Sequence, residues 1–141
     1  MKWERELGND AEELRGAARD AHDFLERAEV GGPTAYAVDT AIEELATNVI
    51  RHGFDEGRSG RIRIAIETHP AQVVLVMSDD ARPFDPTRVP EPENAATLDE
   101  TPLGGLGISM VRKLASEMSY ARAGSENRLE LRFRRMREQR G

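Results

Sequence analysis

The sequence predicts an α/β fold built as one domain, and three observations carry this reading. Ile62, Ile64 and Ile66 recur at every second position, the period of a strand with one buried face. Residues 72–78 form a nearly continuous apolar run, as a central strand does. Val38, Ile42, Leu45 and Val49 are spaced four, three and four, which places them in one stripe of a helix. The chain has 141 residues, the length of a single core.

Trp3–Leu7 alternates weakly and reads as a short edge strand. Asn9 or Asp10 then offers an N-cap, and Leu14, Ala17, Ala18, Ala21, Phe24, Leu25 and Ala28 follow at helical spacing. Gly31-Gly32 is expected to stop that helix. Thr34 is expected to cap the next one, which runs from about Ala35 to His52 with Gly53 at its end. Arg61–Glu67 and Gln72–Ser78 read as strands joined by a turn at Pro70-Ala71, and Asp79-Asp80 ends the second of them. Residues 81–103 have no regular period and hold Pro83, Pro86, Pro90, Pro92 and Pro102, five of the seven prolines. So long a structureless stretch inside a compact domain is usually functional or disordered. Gly104-Gly-Leu-Gly opens a third helix with the stripe Ile108, Val111, Leu114, Ala115 and Met118. Tyr120–Ala123 and Leu129–Phe133 pair as a hairpin around Gly124-Ser-Glu-Asn. Neither an internal repeat nor a second domain is expected across 1–141.

Composition removes several function classes. The chain is 38% hydrophobic and 33% charged, with net charge −6. It has no cysteine, which excludes disulfides, thiol catalysis and cysteine-bound zinc. His22, His52 and His69 form no HExxH pair. No apolar run approaches the ~18 residues of a membrane span, and the N-terminus lacks the apolar stretch of a signal peptide, so a cytoplasmic protein away from membranes is expected. From Arg128 onward six arginines face Glu130 and Glu138, net +4, so the first 127 residues carry −10 of the total −6. Acidity of that degree argues against nucleic acid and leaves a protein as partner. The basic tail, 134–141, either meets an acidic partner or belongs to the solvated side of a terminal strand.

Three constellations can carry chemistry. Glu44, Asn48 and His52 form one row at i, i+4, i+8 along the border of the apolar stripe. An asparagine carbonyl oxygen is a hard ligand suited to Mg²⁺, and a glutamate one turn away can take a proton from an attacking hydroxyl. Taken alone, such a row is more often a solvated helix shoulder. Asp79 follows a buried strand, where α/β sheets bind ligands, and can accept a hydrogen bond from an exocyclic amine; alone it reads equally as a turn residue. Leu103-Gly104-Gly105-Leu106-Gly107-Ile108 leads into a helix, so its backbone N–H groups can approach an anion closely; its plain alternative is a tight turn. Arg51 and His52 are further candidates for phosphate contact.

The order of these features resembles the Bergerat ATP-binding fold of histidine kinases, gyrase-type ATPases and Hsp90. It is most similar to the bacterial anti-sigma factor serine kinases of partner-switching systems. The similar segments are Ala41–Phe54, Ser78–Pro86 and Gly104–Leu114, and with the intervening elements the resemblance covers roughly 3–135. It implies a two-layer α/β sandwich, with a mixed, mainly antiparallel sheet, helices on one face and the nucleotide between the layers. It implies ATP and Mg²⁺ as cofactors, Glu44 as general base, Asn48 as metal ligand and Asp79 as holder of the adenine amino group. Phe84 would line the base pocket beside Ala81. Gly104, Gly105 and Gly107, with Leu106 and Ile108 in the same segment, would face the phosphates at the end of an ATP lid formed by 81–103. Residues 86–103 are then expected to be mobile without nucleotide, within the limits the prolines set. The implied partners are a STAS-domain anti-anti-sigma protein phosphorylated on serine, a sigma factor and a second copy of the chain.

The sequence also departs from the family pattern. Ala81 stands where the family has the glycine of D-x-G, and its methyl group either sits at ordinary φ or crowds the base. Pro83 replaces a second glycine. No arginine stands beside Thr101-Pro102-Leu103, where some relatives carry one, and Arg82 or Arg88 could substitute only if the lid folds inward. Ala81 is the main support for the alternative function, a non-catalytic switch that binds a partner with ATP as ligand or without it. A histidine-kinase catalytic domain is less favoured because no phospho-acceptor helix pair is present, and a gyrase-like ATPase because no transducer domain follows.

Overall fold

The computed structural model describes residues 1–90 and 105–136, and of Gly105 and Leu106 the backbone alone. Five strands form one sheet in the order β1-β2-β3-β5-β4: β1 (Lys2–Gly8), β2 (Arg61–Thr68), β3 (Gln72–Asp79), β4 (Glu117–Ala123) and β5 (Glu126–Arg134). Three α-helices, α1 (Ala11–Arg27), α2 (Gly32–His52) and α3 (Gly105–Leu114), and one 3-10 turn (Pro86–Arg88) complete the described elements. Every neighbouring pair of strands is antiparallel, which corrects the mixed sheet read from the sequence. The reason is topological. The chain reaches β4 at the sheet edge through α3, and β5 then returns between β4 and β3, opposing both.

Alternation decides which face is covered. Leu7, Ile62, Ile64, Ile66, Val73, Leu75, Met77, Leu129, Leu131 and Phe133 are buried under the helices. The opposite face carries cross-strand ion pairs, Arg63 with Glu4 and Glu6 and Arg132 with Glu117, and Arg132 also meets Glu130 two residues away on β5. Arg128 also lies near Glu130, so Arg128 and Arg132 belong to the solvated side of β5. Among the described residues no helix is long and apolar enough to cross a membrane.

Helix boundaries follow local hydrogen bonding. Asp10 caps α1 as expected, accepting from the Glu12 N–H at 2.8 Å. The other end corrects the sequence reading, because α1 stops four residues before Gly31-Gly32. Glu29 takes a left-handed φ of 57°. Its N–H bonds the Glu26 carbonyl, and the Val30 N–H reaches back to Leu25. That is a Schellman motif, closed by the buried pair Leu25 and Val30. Gly32 and Pro33 instead open α2, as the fixed φ of proline suits a first helical turn. Thr34 is therefore not a cap. Buried on α2, its hydroxyl donates to the Arg134 carbonyl and accepts from the Met136 N–H, tying α2 to the end of β5.

Met118 is a further correction. It continues the helical stripe in sequence but lies on β4. α3 ends at Leu114, and the Ser116 N–H and hydroxyl both donate to the Arg132 carbonyl, which starts the β4–β5 ladder. Residues 86–89 of the segment after β3 pack against the fold. Pro86–Arg88 make one 3-10 turn, Pro86 and Val89 are buried, and the Arg112 guanidinium holds the Val89 carbonyl. Of the stretch read as a lid, these residues are the part described, and 91–104 lie outside the described residues.

His22 on α1 gives the helix pair a pH dependence. Its Nδ1 lies 2.7 Å from Asp39 Oδ2 on α2, and its Nε2 3.3 Å from Glu26 Oε1. The bond to Asp39, and then its charge, raise the imidazole above its ordinary value, while burial raises the Asp39 carboxyl. A raised histidine value means that the fold favours the protonated ring. The stabilisation is complete below about pH 6.5 and is lost as pH rises through the raised value. Urea unfolding is expected to lose a few tenths of a kcal/mol over that window, the scale of an exposed pair. His22→Ala should flatten the profile, and a profile that the substitution leaves unchanged would refute this origin.

Candidate functional site

A pocket of about 230 Å³ opens between α2 and the sheet, at the end of β3. Leu45, Asn48, Val49, His52 and Gly53 supply the α2 wall. Met77, Asp79, Tyr120, Asn127 and Leu129 supply the sheet side, and Ala81–Phe84 with Pro86 close it. Two of the row read along α2, Asn48 and His52, thus meet the strand-end carboxylate in one cavity. The register places them there: Asp79 is the last residue of β3 and lies opposite Asn127 of β5.

Asp79 is held tightly. Its Oδ1 accepts from the Ala81 N–H at 3.0 Å, an Asx turn that carries the chain out of the strand, and from the Asn127 amide at 2.8 Å. Burial pushes its carboxyl above the ordinary range, and the bonds from Asn127 and Ala81 pull the other way. Four residues brace the loop beyond. Arg58 donates to the Asp80 carbonyl, Arg122 to that of Ala81, and Asn127 to that of Arg82. Arg82 itself reaches Asp55 and the Gly53 carbonyl on the outer side. Arg82 is therefore turned to the loop after α2, and Arg88 is an exposed neighbour of Asp85.

Ala81 is 3% exposed and lies outside the left-handed region, so ordinary φ is the alternative the backbone takes. Space for its methyl comes from Gly53, where an added Cβ would stand 2.7 Å from the Ala81 Cβ. Phe84 lies at the rim, 38% exposed. Glu44 is half-buried one turn before Asn48 and is not among the pocket walls. Its carboxylate rests against Gly107 in the first turn of α3, where any Cβ would overlap it. Any larger residue at 107 would have to displace the end of the Glu44 side chain.

Two of the candidate residues stand apart from the pocket walls. Arg51 is exposed and does not line the pocket, because 100° per residue turns it away from the Glu44, Asn48 and His52 row. Ile108 is 1% exposed within the hydrophobic core, so its side chain serves packing. Gly104 lies outside the described residues, Gly105 begins α3, and of Leu106 only the backbone is described. Sequence reading missed Asn127 and Tyr120. It took Asn127 as a turn residue, whereas the β5 alternation Leu129, Leu131, Phe133 extends back by one step to include it as a buried polar group.

The family model of the histidine kinase-like ATPase domain matches residues 7–133. The chain is 27% identical over 96 residues to the serine/threonine-protein kinase BtrW of Bordetella bronchiseptica, covering 68% of each chain. Among solved structures, it is similar to that of the RsbU and RsbW domains of Rv1364c from Mycobacterium tuberculosis, with a TM-score of 0.68 and 16% identity over 95% of this chain. It spans only 32% of that longer protein. The catalytic domain of histidine kinase ThkA aligns with a TM-score of 0.55 and 14% identity, covering 93% of this chain and 96% of that one. The likeness to these structures is one of fold. The chain belongs to the family of histidine kinase-like ATPase domains.

Proposed function

We propose that this chain binds ATP with Mg²⁺ in the pocket and phosphorylates a serine of a STAS-domain anti-anti-sigma protein, and that it also acts as an anti-sigma factor. One observation carries the reading: Asn48 and His52 share a cavity with Asp79, and Glu44 stands one turn away on the same row. The residues present suit the nucleotide. Aliphatic walls from Leu45, Val49, Met77 and Leu129 suit a base, and Asp79 offers a carboxylate oxygen to an exocyclic amine. Asn48 would supply a hard oxygen to Mg²⁺. Bound Mg²⁺ supplies charge neutralisation across the phosphates. His52 lines the same wall and can donate to a phosphate oxygen. Glu44 takes up the proton of the serine hydroxyl, and Gly107 leaves room for its carboxylate. The similarity to BtrW, named as a serine/threonine-protein kinase, and to a structure containing an RsbW domain supports this class. In this reading the protein works in the cytoplasm, and a sigma factor and a second copy of the chain are its other partners.

The test is transfer of labelled γ-phosphate from ATP to the cognate STAS protein. Asn48→Ala is expected to lower the rate by at least about tenfold, the effect of losing one charge-assisted contact. Absence of transfer by the wild type, or transfer unaffected by Asn48→Ala, refutes the assignment.

A further inference from the structure

We propose that Asn127 is a positioning residue that sets the base preference of the pocket, by occupying one oxygen of Asp79 and leaving the other as its single acceptor. The inference rests on the nucleotide-binding reading above. Asn127 is 6% exposed, and its bonding capacity is used within the protein. Its amide donates to Asp79 Oδ1 at 2.8 Å and to the Arg82 carbonyl at 2.9 Å, with the Ala81 carbonyl at 3.4 Å. Its Oδ1 accepts from the Tyr120 hydroxyl and, at 3.4 Å, from the Phe84 N–H. The orientation of the amide is fixed by these neighbours. A flipped group would set its NH₂ against the Phe84 N–H and its oxygen against the carboxylate. Asn127 therefore has no group left for a ligand and acts through Asp79 and the 81–84 loop.

The consequence lies in the carboxylate. Asp79 Oδ1 already accepts from Asn127 and from the Ala81 N–H, which fills its two lone pairs. Among the described residues no donor is seated on Oδ2. One free acceptor suits a base edge with a single exocyclic amine beside an unprotonated ring nitrogen, as in adenine. The guanine edge presents a ring N–H and an amine side by side and needs both carboxylate oxygens. With Oδ1 taken, one of those donors would be buried without a partner, which disfavours guanine. Asn127 thus discriminates without touching the base.

Calorimetry with Mg-ATP and Mg-GTP on the full chain tests this. The wild type is expected to prefer ATP, and Asn127→Ala should narrow the ATP-to-GTP affinity ratio by about tenfold, one hydrogen-bonded donor gained by guanine. A merely structural role would weaken both nucleotides together and leave the ratio unchanged. Asn127→Ser, whose shorter hydroxyl also releases Oδ1, should narrow the ratio in the same direction and covers the case in which the alanine variant does not fold. An unchanged ratio in the folded variants, or equal binding of the two nucleotides by the wild type, overturns the inference while leaving nucleotide binding intact. A wild type that binds neither nucleotide overturns the reading on which the inference rests.

Discussion

Glu44→Gln is expected to slow phosphotransfer by about 10²–10⁴-fold, the usual contribution of a general base. ATP affinity should change by no more than a few-fold. The split follows from position. Asn48, His52 and Asp79 line the pocket itself, whereas Glu44 stands beyond its walls, against the first turn of α3. Glutamine keeps the shape that packs on Gly107 and removes only the capacity to take a proton. Single-turnover transfer and equilibrium ATP binding, measured on the same variant, separate the two quantities. Parallel losses in rate and affinity would make Glu44 a binding residue instead. Gly107→Ala provides a check through geometry, since its methyl must displace the Glu44 carboxylate. Its rate should fall with Glu44 still present.

Gly53→Ala is expected to destabilise the fold by about 1–3 kcal/mol, the range for overpacking a filled site. An added Cβ there would stand 2.7 Å from the Ala81 Cβ and 2.7 Å from the Val49 carbonyl oxygen, nearer than packed atoms tolerate. Ala81→Gly removes the first of these conflicts, so the double variant should recover part of the loss. Two residues in direct contact should therefore show a coupling of about 1 kcal/mol in a denaturation cycle. Additive losses would mean that the backbone relaxes and that the two positions are independent. The cycle also bears on function. Ala81 supported a switch without nucleotide only if its methyl crowds the base, and Gly53 gives that methyl its own space.

Much of the fold was legible along the chain because its elements obey local periods. β2, β3 and α2 were placed to within a residue or three of their ends by alternation and by the Val38 to Val49 stripe. The misreadings fell where two local rules competed. Gly31-Gly32 looked like a helix stop, but the Schellman bonds of Glu29 and Val30 ended α1 earlier. Met118 kept helical spacing because its inward position on β4 happened to continue the stripe. Within the site, Asn48, His52, Asp79, Ala81 and Phe84 were picked from sequence order, and the cavity gathers all five. Arg51 and Ile108 lie outside its walls, because position along the chain alone does not tell which way a helical side chain turns.

The sequence by itself determined the element types, the acidic character and the order of chemically able residues. These depend on neighbours within a few positions, so periodicity and turn chemistry carry them. Only the tertiary structure decided that the sheet is wholly antiparallel, that Asn127 faces Asp79 across 48 residues of chain, that Gly53 makes room for Ala81 and that Gly107 makes room for Glu44. Each of these is a contact between segments remote in sequence. Such contacts are fixed by strand register and by the packing of α2 on the sheet, and no local pattern encodes them.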